Sequence, residues 1–459
     1  MSRIHIPDLR PEIDGTALPG TQLPTLPEAL DAVAVWIDHG EITDDDGPSG
    51  HWHAWPDRPD FVPAYGDLSL NTGAAGLAWY SRQAGLVLDD TPGTERAASA
   101  RARARRTTRY LRHTWEDHVS DAFLGIDGTG LGYYGGLAGI ATGTGDDQLA
   151  SDLFDVVLQR QGAAGGRAEG WTGIDAMLGD GGIVVALIDG ARRLDRPDLL
   201  AAAVRAGDMI LADEQPVDVG SSRWPGLAPE TIGMAAGTEV DGLELGHVGV
   251  AFVLSRLARA TGERRFVEAA SRAARGIVPT LTVLGDSAWF HRMSGDVSYG
   301  YCSGSSGLIR AFVAAHTATG DEEFLERALQ LGRGIARSGV PVRESPGNHL
   351  VLHQCCGASA VLESYLGLWA STGDRLWLDA ARAEGDGILI RSMRDENGLR
   401  WYSRAERLPK GTLKAEVGHQ VGSCGIALAL LRLHAYDQRD RGRDLPLPAR
   451  LPDDPYPSD

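Results

Sequence analysis

A five-residue pattern, Gly-x-x-Gly followed by an aliphatic residue, recurs along this chain and restricts what it can fold into more than any other feature. It stands at Gly73–Gly76–Leu77, Gly136–Gly139–Ile140, Gly179–Gly182–Ile183, Gly246–Gly249–Val250, Gly304–Gly307–Leu308 and Gly422–Gly425–Ile426. A seventh copy, Gly357-Ala358-Ser359-Ala360-Val361, carries Ala at the second glycine position. Each copy opens a run such as GVAFVLSRLARA or GIALALLRLHA. These runs are apolar nearly all round, so they read as buried helices. Glycine at their starts lets neighbouring backbones approach closely.

A second signature keeps the same register. Thr261-Gly262-Glu263, Thr319-Gly320-Asp321 and Thr372-Gly373-Asp374 each follow an apolar helix. The steps from Thr261 to Thr319 to Thr372 are 58 and 53 residues, and so are those from Gly246 to Gly304 to Gly357. Two features with equal spacings define a repeat. The turn ends the first helix with Gly past its last residue. The acidic residue then begins a second helix, where it suits the dipole. That second helix, as in RRFVEAASRAARGI, carries aromatic and Ala residues on one face and charges on the other, so it lies outside.

Seven such pairs could stack as an open solenoid or close as a ring. A solenoid wants polar capping repeats at its ends. The first and last copies here are as apolar as the middle ones, which favours an all-α fold, an α/α toroid (barrel) of seven inner and seven outer helices. The expected organisation is an irregular N-terminal extension over residues 1–60, the toroid over 61–436 and a loose C-terminal tail over 437–459.

Composition excludes several classes of function. The formal net charge of −18 argues against a nucleic-acid binder, which needs Lys and Arg in excess. The N-terminus lacks a secretory pattern, and no run reaches the roughly 18 apolar residues of a membrane span. The expected location is therefore the cytoplasm. Four cysteines in 459 residues do not make a disulfide framework. In a reduced compartment the adjacent pair Cys355 and Cys356 invites a metal reading.

Cys302 and Cys355 each lie two residues before a motif glycine, and Cys356 lies one before. In a toroid such positions on neighbouring repeats share one mouth, at helix N-termini that favour thiolate. Three sulfurs suit Zn²⁺ and leave one of its four positions open. Cys424, inside the last motif, reads as a small core residue.

This pattern resembles the lanthionine synthetase C (LanC) family over about residues 65–435. Cys302-Ser303-Gly304 and Cys355-Cys356-Gly357 stand where the family carries its zinc segments, Cys-x-Gly and Cys-His-Gly. The second segment is similar to a Cys-Cys-Gly variant found in part of the family. The resemblance implies a zinc-dependent lanthionine synthetase-like cyclase. In such an enzyme a peptide Cys adds to dehydroalanine or dehydrobutyrine, giving (methyl)lanthionine thioether rings in a lanthipeptide, a ribosomally made and modified peptide. It also implies a role in proton management for Asp175, four residues before Gly179. The family's His before the fourth motif is Leu245 here, and His247 is the nearby candidate to replace it. The family's Arg and aromatic beside the first zinc Cys are Ser298 and Ser303. His353 and His419 read as polar residues at helix entrances.

The implied partners are a dehydrated precursor peptide and, since no dehydratase sequence precedes the core, a separate dehydratase or kinase/lyase. A basic run from Arg96 to Arg112 could dock an acidic leader peptide or a partner enzyme, or be a solvated helix face. Two other functions stay open: addition of glutathione or another small thiol to dehydrated residues, and a zinc-stabilised peptide-binding scaffold without catalysis.

Overall fold

The computed structural model describes residues 23–42, 51–56, 67–88, 95–118, 130–161, 175–225, 242–291, 297–340, 351–404 and 413–457. Every glycine motif begins a helix: α2 (Ala74–Val87), α4 (Leu137–Gly143), α6 (Asp180–Leu194), α8 (His247–Thr261), α10 (Ser305–Thr319), α12 (Ala358–Thr372) and α14 (Ser423–Asp440). The first glycine of each motif is the N-cap. Each of these helices packs against the next, and α14 packs against α2, which closes the ring. The fold is an α/α toroid.

The close approach expected of the glycines is literal. A Cβ on Gly307 would collide with the carbonyl oxygen of Tyr301, and one on Gly425 with that of His419. The helix start is thus folded hard onto the loop that leads into it. That contact fixes where the loop residues point.

Outer helices follow the inner ones: α3 (Arg96–His118), α5 (Asp147–Gln161), α7 (Pro197–Ala212), α9 (Arg264–Ile277), α11 (Glu322–Ser338) and α13 (Arg375–Ile390). The Thr-Gly-acid turns work as expected. Gly262, Gly320 and Gly373 have φ of 68°, 71° and 69°, the left-handed region that favours glycine. Asp321 and Asp374 then cap α11 and α13, accepting from Glu323 N and Leu376 N at 3.0 Å.

The seventh outer helix comes from the other end of the chain. Residues 1–60 were expected to be irregular, yet α1 (Leu26–His39) starts with a capping box of Thr25 and Glu28 and packs on α14. Its apolar face carries Val33, Trp36 and Ile37, all buried. Carboxylates at its C-terminal end pair with α3: Arg103 grips Asp38 at 2.7 and 2.8 Å, and Arg106 grips Glu41 at the same distances. The rest of that expected extension, 1–22, 43–50 and 57–60, lies outside the described residues.

Short antiparallel hairpins follow several outer helices, an addition the helical reading did not foresee. They are β1–β2 (Gln215–Asp218, Ser221–Arg223), β3–β4 (Leu281–Leu284, Ser287–Phe290), β5–β6 (Met393–Asp395, Gly398–Arg400) and β7–β8 (Ser403–Arg404, Leu413–Lys414). Tryptophans after β2 and β6 donate to the last turn of the preceding outer helix, Trp224 to Ile210 O at 2.6 Å and Trp401 to Ile388 O at 2.9 Å. Trp52 does the same to Ile37 O of α1 at 2.6 Å.

The C-terminal segment corrects the second boundary expectation. It was expected to be loose, but α14 runs on to Asp440 and residues 451–456 are buried inside the ring. Four inner helices hold this segment. Gln83 of α2 accepts from Ala449 N at 2.8 Å, Arg310 of α10 donates to Asp453 O at 3.2 Å, and Arg432 of α14 donates to Ala449 O at 3.2 Å. Gly367 of α12 faces the Tyr456 ring so closely that a Cβ there would strike it. The side chains explain the burial. Tyr133 and Tyr301 donate to the Asp453 carboxylate at 3.0 and 2.7 Å. Burial raises the Asp454 carboxyl, but Arg450, Arg310 and Arg432 outweigh it and pull it down to about 2. Charged residues in a Pro-rich tail look solvated in sequence, yet Arg450 and Asp454 pair inside the ring, and Asp454 also faces Arg432. Among the described residues, no helix is long and apolar enough to cross a membrane.

Candidate metal centre

The loops that enter the inner helices are joined by backbone hydrogen bonds between residues of the same register, two before each motif glycine. Glu244 N donates to Cys302 O at 3.2 Å, Cys302 N to Cys355 O at 3.0 Å, and Cys355 N to Gln420 O at 2.8 Å. The chain of bonds continues from Gln420 N to Asn71 O and from Asn71 N to Tyr134 O, both at 3.0 Å. Equivalent positions therefore sit side by side at one mouth, as the repeat spacing predicts. This necklace of peptides holds each loop at the height of its neighbours.

Two necklace positions are cysteines, and Cys356 follows the second. Their sulfurs converge: Cys302 Sγ lies 3.2 Å from Cys356 Sγ, and Cys355 Sγ lies 3.3 Å from Cys356 Sγ. All three are free thiols and only partly buried. The three ligand atoms lie within 4.8 Å of one another, a grouping that could hold a metal ion. Tetrahedral zinc, with bonds of about 2.3 Å, needs sulfurs roughly 3.8 Å apart, so a small relaxation admits it. Electrostatics call for a cation as well. Hydrogen bonding to Cys302 and then Cys356, followed by burial, pushes the Cys355 thiol well above the ordinary range. Three thiolates at this spacing repel one another unless a positive charge sits among them. The donor set and its crowding fit a thiophilic divalent ion.

Glu244 was missed by the sequence reading, which looked for a histidine at positions 245 or 247. Its Oε1 accepts from Cys355 Sγ at 3.6 Å, and the residue is buried. Burial, then the neighbouring Cys302, holds its carboxyl well above the usual carboxylate range. The signal was present in the register. Glu244 stands two before Gly246, as Cys302 and Cys355 do before Gly304 and Gly357.

His247 has a different place from the one expected. It is the first residue of α8, and its ring is 2% exposed. Nδ1 accepts from Trp224 N at 3.3 Å, Nε2 lies 2.8 Å from Ala273 O, and the ring stacks on Trp224. Both nitrogens thus face α9 and the end of the β1–β2 hairpin, where they tie the outer layer to the inner one. His247 was expected to replace the family histidine; its ring is held by Trp224 N and Ala273 O.

Asp175 is buried in the loop entering α6. That loop adjoins the site through Leu178 N, which donates to Glu244 O at 2.7 Å. Cys424 is fully buried, and burial pushes its thiol far up, as suits a core residue. His419 is also buried, and burial holds its imidazole down to about 4, so it stays neutral.

Beneath the cysteines the lumen is closed. Tyr301, next to Cys302 in the chain, bonds through its hydroxyl to Tyr134 and to Asp453. A cavity of about 20 Å³ remains among Tyr301, His419, Gln420 and Asp453, room for roughly one water.

Comparison with known proteins follows this geometry. No curated protein matches the sequence. Among solved structures, one titled nisin cyclase superposes with a TM-score of 0.54 at 13% identity, covering 81% of this chain and 90% of that one. A family 76 glycoside hydrolase (mannosidase) from Bacteroides thetaiotaomicron gives 0.46 at 12% identity, covering 90% and 100%. The first likeness bears on the fold alone, and the second is too weak to carry an argument. The sequence pattern of "Lanthionine synthetase C-like protein" matches residues 65–443. The chain belongs to the lanthionine synthetase C-like family.

Proposed function

We propose that this protein is a zinc-dependent cyclase that joins a peptide cysteine to a dehydroalanine or dehydrobutyrine of the same peptide, forming a thioether ring. The observation that carries this reading is the convergence of Cys302, Cys355 and Cys356 in adjoining loops. Family membership and the likeness in fold to a cyclase support it. In this reading the three cysteines hold Zn²⁺, with Cys356 of the Cys-Cys-Gly segment in place of the family's usual histidine. Bound there, zinc supplies a Lewis acid that favours the thiolate form of an incoming thiol.

The remaining work falls to the protein. Addition of sulfur to the β-carbon leaves an enolate that must gain a proton at the α-carbon. Glu244, one hydrogen bond from Cys355, is the carboxyl best placed to hold and return a proton, and Asp175 in the adjoining loop is the second. Since the thiol proton lost and the α-proton gained balance, the ring closes without change of mass. The reaction needs a peptide already dehydrated, so a dehydratase or kinase/lyase activity acts before it.

The test uses a dehydrated peptide with one cysteine and follows loss of its free thiol by alkylation and mass spectrometry. Cys356→Ala is expected to abolish both metal content and thiol loss. Full thiol loss with metal-free protein would overturn the reading. Reaction with glutathione but not with the internal cysteine would replace it with small-thiol addition.

A further inference from the structure

The basic run that begins α3 is only partly used by the fold. Arg103 and Arg106 turn inward to α1. Arg101, Arg105, Arg109 and Arg112 stand at steps of four, four and three residues and are all exposed. At 100° per residue they fall within an arc of about 80°, so they make one stripe. The stripe is one wall of a groove of about 700 Å³ between α3, the end of α2 and the α4–α5 turn. Arg82 of α2 lines the opposite side, and Leu86, 54% exposed, gives the groove an apolar patch. Asp146 is the one acidic residue of the lining, and it is already taken by Arg112. Arg105 and Arg109 have no carboxylate partner among the described residues. Burial and then Arg193 hold the Arg82 guanidinium down to about 10, with Asp147 and Asp189 pulling the other way.

We propose that this groove is a docking site for an acidic peptide segment. Charge complementarity selects the occupant. Among the described residues five guanidiniums line the groove against one carboxylate, with Arg105 and Arg109 facing none, on a protein whose net charge is −18, so an acidic chain is repelled by the rest of the surface and drawn here. Geometry sets its length. The stripe from Arg101 to Arg112 spans about 16 Å, the reach of roughly five residues of extended chain. Successive arginines lie about 6 Å apart, which matches carboxylates on every second residue of such a chain. Bidentate pairing of guanidinium with carboxylate gives the contacts direction as well as charge. The apolar patch at Leu86 accepts a small side chain between the acids.

The proposal deepens the reading of this protein as acting on a peptide, but the groove belongs to the first repeat and the sulfurs to the fifth and sixth. Its test therefore reads binding alone, on the full-length protein. The probe is a fluorescein-labelled octapeptide of alternating Glu and Ala, followed by anisotropy at low salt. Binding is expected to weaken at least tenfold in Arg105→Glu/Arg109→Glu and by less in Arg105→Gln/Arg109→Gln, with zinc content unchanged in both. It is also expected to weaken as salt rises, since the arginines are exposed. Should the Glu variant lose its far-ultraviolet circular dichroism, the Gln variant decides. Absence of binding by the unaltered protein, or equal binding by the Gln variant and the unaltered protein, would overturn the proposal. So would tighter binding of a single-stranded oligonucleotide, or of vesicles containing phosphatidylglycerol, than of the peptide. A protein that binds the probe but closes no rings refutes the cyclase reading and leaves the groove standing.

Discussion

The backbone N–H of Glu244 donates to the carbonyl of Cys302 at 3.2 Å, and the Glu244 side chain reaches on to Cys355 Sγ at 3.6 Å. Glu244 thus contacts both cysteine-bearing loops, one through its backbone and the other through its carboxyl. Glu244→Gln keeps the size and most hydrogen bonding while removing the acid. It is expected to retain one zinc per chain yet slow ring formation by about 10²-fold, the lower end for loss of a general acid. Time courses of thiol alkylation measure this. Unchanged rates would confine Glu244 to holding the loops together.

The two kinds of glycine should respond differently to alanine. Gly373 has φ of 69° and open space around it, so Gly373→Ala carries backbone strain alone, about 1 kcal/mol. Gly307→Ala drives a methyl into the carbonyl of Tyr301. That variant is expected to lose more stability, about 2–3 kcal/mol as for overpacking, and to weaken zinc binding because Tyr301 leads directly into Cys302. Urea titrations with parallel zinc analysis distinguish them. Equal effects on zinc would contradict the link between glycine packing and site geometry.

Glu384 of α13 is fully buried, and neither carboxyl oxygen has a hydrogen-bond partner among the described residues. Burial raises it to about 8, with Arg391 pulling weakly the other way. A carboxyl raised above its unfolded value favours the folded state below the unfolded pKa of 4.5, and that contribution is lost as pH rises towards 8. Glu384→Gln is therefore expected to raise the thermal midpoint, and by more at pH 8 than at pH 5. A gain independent of pH would place the charge elsewhere.

Asp453 collects hydroxyls from Tyr133 and Tyr301, and burial followed by Asp453 holds both phenols protonated. Asp453→Ala leaves two buried hydroxyls short of an acceptor, a loss of about 1–3 kcal/mol each. Truncation after Pro448 would remove Asp454, the acid acting most strongly on Arg310, while Arg432 keeps Glu363, and is expected to destabilise more than the point variant. Chemical denaturation reads both. A truncated chain as stable as the full one would mean that the segment is a loose appendage.

Much of the ring was legible in the sequence because its determinants are local. Glycine spacing named every inner helix, the Thr-Gly-acid turns named three outer ones, and equal register brought Cys302, Cys355 and Cys356 together. What escaped reading depends on contacts distant in sequence. Helix α1 completes the ring only by meeting α14, almost the whole chain away. The tail is ordered by Gln83, Tyr133 and Arg310, none of which marks it in the sequence. His247 and Glu244 lie three residues apart, and spacing alone could not say which faces the sulfurs. The fold against α9 decides it.

X-ray absorption at the zinc edge tests the central claim most directly. The purified protein is expected to carry one zinc per chain, with three sulfur neighbours at about 2.3 Å and one lighter atom. In Cys356→Ala the sulfur count should fall to two, with loss of most of the metal. A zinc shell of oxygen and nitrogen alone, or a spectrum unchanged by that substitution, would contradict the account.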